Sequence, residues 1–116
     1  MVELKALPAV FVRTDAGNEP VREWLKTLSV EDRKAMGGAI KAVEVGWPVG
    51  MPLCRPLSGH KGLNEVRENL TNGKIGRVNF TIKDARMVLL HGFVKKAQKT
   101  PKKDIDVAAA RQKGLK

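Results

Sequence analysis

The spacing of apolar residues along this chain changes period from element to element. Ala9–Thr14 (AVFVRT) is rich in β-branched and aromatic residues and predicts a short strand. Asp15–Asn18 reads as a turn. Asn18, Glu19 and Pro20 read as a helix start, with a capping side chain and a proline early in the first turn. Val21, Trp24, Leu25 and Leu28 then fall on one helical face. Ser29 predicts the cap of a second helix, with Asp32 three positions on in a weak capping box. Met36, Ala39, Ile40 and Val43 carry that helix's stripe. Gly37 and Gly38 lie inside it, where each glycine costs about 1 kcal/mol against alanine, and a close helix contact would account for them. The helix ends at Gly46-Trp47-Pro48. Residues 46–56, with three prolines and two glycines, read as a loop.

Beyond that loop the pattern becomes strand-like. Leu63–Leu70, Lys74–Ile82 and Met87–Val94 are three predicted strands, separated by turn-like Thr71-Asn72-Gly73 and Lys83-Asp84-Ala85. Met87–Val94 (MVLLHGFV) is apolar on both faces and predicts a central strand covered on both sides. Thr100 is expected to cap a last helix with Pro101 at its first position and a thin stripe of Ile105, Ala108 and Ala109. The order is strand, two helices, three strands, helix, without repeats. This describes one α+β domain over residues 1–116, a length that can bury a core without disulfides.

Strand parity predicts the register of the first hairpin. Val78, Phe80 and Ile82 share one face, and Arg77 and Asn79 the other. A two-residue Asn72-Gly73 turn would set Arg67 opposite Val78. A three-residue turn with Gly73 in the left-handed region sets Val66 opposite Val78, Arg67 opposite Arg77 and Glu65 opposite Asn79. The second register keeps the apolar face apolar and is the expected one. It places two arginines face to face, a repulsion that a bound phosphate would offset.

Charge sharpens the picture. Lys and Arg number 22 against 12 Asp and Glu, a formal charge of +10. Residues 91–116 hold eight of those cations against Asp104 and Asp106, a net of +6. Such a surface attracts polyanions, nucleic acid above all, with an acidic protein or a membrane surface as rivals. The single cysteine, Cys54, rules out an internal disulfide and favours a reducing compartment. The start MVELKALPAV lacks a signal peptide's apolar core, and no apolar run approaches membrane-spanning length, so a cytoplasmic protein is expected. His60, His91 and Cys54 are scattered without metal-ligand spacing, and neither a P-loop nor a serine-hydrolase elbow is present. No metal or cofactor is expected.

Three segments carry a specific resemblance: RPLSGHKGLNEVRE at 55–68, KIGRVNF at 74–80 and MVLLHGFVKKAQKTPKKDI at 87–105. They resemble the RelE/ParE toxin superfamily in its HigB-like, phage-derived (Gp49-like) branch. The resemblance implies a small twisted, mainly antiparallel sheet with two N-terminal helices and a C-terminal helix. It implies the toxin of a type II toxin–antitoxin system. The activity implied is endoribonuclease cleavage of mRNA on the ribosome, without metal, by attack of the RNA 2′-hydroxyl on the adjacent phosphate. The implied partners are mRNA, the ribosome and a cognate antitoxin of the helix-turn-helix kind. Arg67, Arg77 and Glu65 match the family's strand positions, and Lys95 and Lys96 its basic pair. The chain departs from the pattern in having no tyrosine, which some relatives use in catalysis, and in Asn64 and Asn79, where this branch often carries larger apolar residues.

Cleavage of this type needs a base, stabilisation of charge on the phosphate oxygens, and a proton for the leaving oxygen. Arg67 and Arg77 suit the second task, because a guanidinium is always charged and binds phosphate bidentately. Glu65 and His91 are the base candidates; a lysine of depressed pKa is a third route. Lys95, Lys96 and Lys99 would hold neighbouring phosphates. Each has a plainer alternative: solvated strand charges for the arginines, an ion pair for Glu65, a satisfied core histidine for His91. Only Phe11, Trp24, Trp47, Phe80 and Phe93 are aromatic, too few for a stacking platform, which favours presentation of the RNA by another body. A ParE-like inhibitor of DNA gyrase and a non-catalytic nucleic-acid- or protein-binding module are the alternative functions.

Overall fold

A computed structural model describes residues 4–96 and 99–115. Its elements are β1 (Ala9–Phe11), α1 (Pro20–Thr27), α2 (Val30–Gly46), β2 (Cys54–Pro56), β3 (Asn64–Asn69), β4 (Ile75–Lys83), β5 (Arg86–Lys95) and α3 (Lys102–Lys113). The five strands form one sheet in the order β1-β5-β4-β3-β2. All pairs are antiparallel except β1 with β5. The α+β architecture expected from the sequence is the observed one.

The sheet separates two cores. On one face Val21 of α1 and Met36, Ala39, Ile40 and Val43 of α2 pack with Val66, Val78, Phe80, Met87 and Leu89. On the other Ala108 of α3 packs with Leu57, Leu63, Val88 and Leu90. β5 is thus apolar on both sides because both sides are covered. Its Gly92 lets α1 approach: a Cβ there would overlap the Trp24 ring.

Local signals hold at some ends and fail at others. The hydroxyl of Ser29 accepts from the Asp32 N–H at 3.1 Å, as a helix cap should. Asp32 does not reach back to complete a box. Its carboxylate accepts from the N–H and hydroxyl of Thr71, at 2.9 and 3.1 Å, and so ties α2 to the β3–β4 turn. The N-cap of α1 is Glu19 and makes no side-chain cap; Glu23 instead accepts from the Glu19 N–H at 3.0 Å. Gly37 and Gly38 meet nothing within 4 Å, so no close helix contact accounts for them. The first strand stops at Phe11, short of Thr14.

Two differences bear on the site. The expected loop at 46–56 contains an edge strand, β2, which its Pro56 disguises; proline is tolerated at a sheet edge because no partner needs its missing N–H. The expected cap of α3 is also displaced. Pro101 is the N-cap, and the Thr100 side chain turns into the sheet instead. The hairpin register is the three-residue one. Val66 faces Val78, Arg67 faces Arg77 and Glu65 faces Asn79, with Gly73 at φ +70°.

Candidate active site

β5 carries one extra residue, Leu90, between the pairs Asn79–His91 and Phe80–Leu89. Such a bulge reverses the facing of every later side chain. Val88 and Leu90 pack under α3, and His91 and Phe93 face the same side of the sheet, while Gly92 faces Trp24. Two rows of side chains therefore cross the α3-bearing face of the sheet: Arg55, Glu65, Asn79 and His91, then Arg67, Arg77 and Phe93.

Glu65 lies at the centre, fully buried. Its Oε2 accepts from the Thr100 hydroxyl at 2.6 Å and from Asn79 Nδ2 at 3.1 Å. Its Oε1 faces Arg55 Nη2 at 3.4 Å, Arg67 Nε at 3.8 Å and Arg77 Nη1 at 4.0 Å. The Thr100 oxygen also accepts from Arg77 Nη1 at 3.2 Å and Arg55 Nη2 at 3.4 Å. Three guanidiniums thus share one carboxylate. The repulsion across the Arg67–Arg77 pair is offset from inside the chain, where a phosphate was expected. Asp104 is a second acid that acts on Arg77. Asn79, one of the departures from the family pattern, supplies the second neutral donor to that carboxylate.

The three arginines differ in access. Arg77 has no exposed side-chain surface, Arg67 retains 12 % and Arg55 retains 29 %. Burial pulls the Arg77 pKa down; Glu65 opposes that and the neighbouring Arg67 and Arg55 add to it. Its guanidinium carbon also stands 6.0 Å from the Phe93 ring centroid, at cation–π range. Arg67 lines an open cleft of about 270 Å³ with Pro52, Leu53, Glu68, Asn69 and Ile75.

His91 sits at the other end of the first row. Its Nε2 is 2.8 Å from Asp104 Oδ1, and its Nδ1 is 3.4 Å from Arg111 Nη1. Arginine can only donate, so Nδ1 is the acceptor and Nε2 carries the proton toward Asp104. Arg111 also donates to the Leu90 carbonyl at 2.8 Å, and the His91 ring stacks on Phe93. His91 is therefore satisfied by side chains of α3, not by the backbone. Lys95 ends β5 opposite Ile75, and Lys96 and Lys99 are exposed in the connection to α3.

The structure thus gathers Glu65, Arg67 and Arg77 into one cluster and places His91 on the same face with Asn79 between. Sequence reasoning missed Arg55, Thr100 and Asp104. Arg55 lay in a stretch read as loop, Thr100 was read only as a helix cap, and Asp104 entered only as a charge. Other chemistry is weak. Burial pushes the Cys54 thiol up to about 11, too high for a nucleophile near neutrality. Among the described residues no group of three His, Cys, Asp or Glu could hold a metal ion, and no helix is long and apolar enough to cross a membrane.

No curated protein matches the chain. The model of the family described as phage-derived protein Gp49-like (DUF891) matches residues 23–113, a span that holds the whole cluster from Arg55 to Asp104, and the chain belongs to that family.

Proposed function

We propose that this protein is the toxin of a type II toxin–antitoxin system and a metal-independent endoribonuclease acting on mRNA at the ribosome. The observation that carries this reading is the convergence of three guanidiniums, Arg55, Arg67 and Arg77, on the buried Glu65. Preorganised guanidiniums suit the charge that develops on phosphate oxygens in transesterification. Membership of the Gp49-like family supports the toxin reading.

Access divides the roles. Arg67, on the open cleft, contacts the scissile phosphate. Arg77, fully buried, acts through its field and by holding Thr100. Glu65 is buried among cations and serves as their counter-charge. His91 keeps 17 % of its side chain exposed and is oriented by Asp104, and its Nδ1, once released by Arg111, takes the proton of the 2′-hydroxyl. Lys95, Lys96 and Lys99 hold flanking phosphates along the rim. No aromatic side chain is exposed, so RNA stacking must come from elsewhere, and the decoding site of the ribosome would supply it. The antitoxin, of the helix-turn-helix kind, would cover this basic face with an acidic or amphipathic segment.

The test is cleavage of a defined mRNA, with and without programmed ribosomes, in EDTA. We expect ribosome-dependent cuts ending in 2′,3′-cyclic phosphate. Arg67→Ala should slow them by about 10²–10³-fold, the usual effect of losing one charge-stabilising donor. Intact mRNA in the presence of folded wild-type protein would reject the nuclease, and a gyrase supercoiling assay would then decide for or against the ParE-like alternative.

A further inference from the structure

The cluster contains one arginine to which the resemblance assigned no role. Arg55 lies on β2, the strand at the edge of the sheet, directly opposite Glu65. It is the most exposed of the three cations around that carboxylate. Among the described residues its hydrogen bonds run through Nη2, to Glu65 and Thr100. Its Nε is buried without a hydrogen-bond partner among the described residues. Buried, that Nε cannot reach a ligand; of the guanidinium's five N–H donors, the two on Nη1 are the ones left for it.

Position adds to this. Arg55 and Arg67 are diagonal neighbours on one face, since Arg55 pairs with Glu65 and Arg67 follows two residues later. Diagonal positions are roughly 7–8 Å apart at the backbone, within reach for two long side chains to converge. Among the described residues no strand lies beyond β2, so a chain crossing that edge meets Arg55 first.

We infer that Arg55 is a further RNA-binding residue, which grips a backbone phosphate of single-stranded RNA beside the one held by Arg67. The inference rests on the reading of this face as a ribonuclease site and adds a contact to it. Arg55 binds and does no chemistry. Glu65 and Thr100 hold its inner end and aim the outer end at solvent.

The probe is a fluorescent 2′-O-methyl oligonucleotide, which lacks the nucleophile and cannot be cut. Its affinity is read between 50 and 200 mM salt for wild type, Arg55→Ala, Arg55→Lys and Arg22→Ala. Arg22 is an exposed cation on α1, across the sheet. Loss of one phosphate contact should lower the slope of log affinity against log salt by about 0.7. Affinity at low salt should fall about tenfold. Arg55→Lys should restore the slope, and Arg22→Ala should leave it unchanged. On programmed ribosomes Arg55→Ala should raise KM with little change in kcat, as removal of uniform binding does. A merely structural role would move the melting temperature and leave the slope alone. Should Arg55→Ala fail to fold, Arg55→Gln, which keeps the stem and an N–H for Thr100, carries the same measurement. A wild-type slope in a folded Arg55 variant, beside a lowered one in Arg67→Ala, overturns the Arg55 assignment alone. If free wild type does not bind the probe, the ribosomal assay decides: an unchanged KM in folded Arg55→Ala beside active wild type overturns the Arg55 assignment alone, and inactive wild type overturns the ribonuclease reading with it.

Discussion

Glu65 is the residue on which the site depends. A lone carboxylate buried among apolar strands would carry a heavy desolvation cost; here two neutral donors and three cations offset it. The dependence runs both ways, because the buried Arg77 has the same carboxylate for its counter-charge. Glu65→Gln keeps the shape and removes the charge. Breaking a buried ion pair from one side costs about 3–5 kcal/mol, and we expect a loss of that order in urea unfolding. A midpoint equal to wild type would show that the arginines do not need the carboxylate. His91 and Asp104 form a second, smaller couple, and their bond at 2.8 Å joins α3 to β5 beside that of Arg111 to the Leu90 carbonyl.

Elements are joined here by polar side chains as much as by apolar ones. Arg33 of α2 donates to the carbonyls of Leu25, Lys26 and Leu28 and so closes the end of α1. Asp32 clamps the β3–β4 turn. The Thr71 N–H, chiefly, holds the Asp32 carboxyl below the usual carboxylate range, with the Thr71 hydroxyl, Lys74 and Ser29 acting in the same direction against burial. A depressed carboxylate stabilises the fold above its unfolded pKa, near ~3.9. That contribution is lost as pH falls through the lower folded value. Wild type should therefore be more stable than Asp32→Asn at pH 6, and the gap should narrow below about pH 4. Urea midpoints from pH 6 to pH 3 measure it; a gap independent of pH would remove the ionised clamp. The clamp matters to the site because the turn it holds sets the register that aligns Arg67 with Arg77.

At the scale of the whole molecule, the sheet is a partition. One face gives its apolar residues to α1 and α2. The other divides its area between an apolar patch under α3 and the charged rows beside it. α3 is consequently both roof and wall. Its Ala108 seals the second core, while Asp104 and the preceding Thr100 reach the polar rows. Removing residues 102–116 should expose Leu57, Leu63, Val88 and Leu90 together. We expect such a chain to bind a hydrophobic dye and to lose cooperative unfolding. A truncated chain that melts as sharply as the full one would mean the second core does not need its helix.

What was legible in the sequence was what nearest neighbours and periodicity decide. Helical spacing located α1 and α2, and β-branched alternation located β3, β4 and β5. Parity and a glycine in the left-handed region were enough to place Arg67 opposite Arg77, because a one-residue slip would have buried a charge in the apolar face. What only the tertiary structure decided were relations between distant segments. The edge strand β2 owes its strand form to β3, since its own proline argues against one. The bulge at Leu90 turned His91 onto the charged face, against simple alternation. Thr100 gave up a helix cap that its neighbours favoured, because a buried carboxylate 35 residues earlier needed a donor more than the helix end did. Local propensity is worth a fraction of a kcal/mol to about one per residue, and an unsatisfied buried charge costs several times that. Where the two conflict the buried charge prevails, and in this protein those conflicts fall at the candidate site.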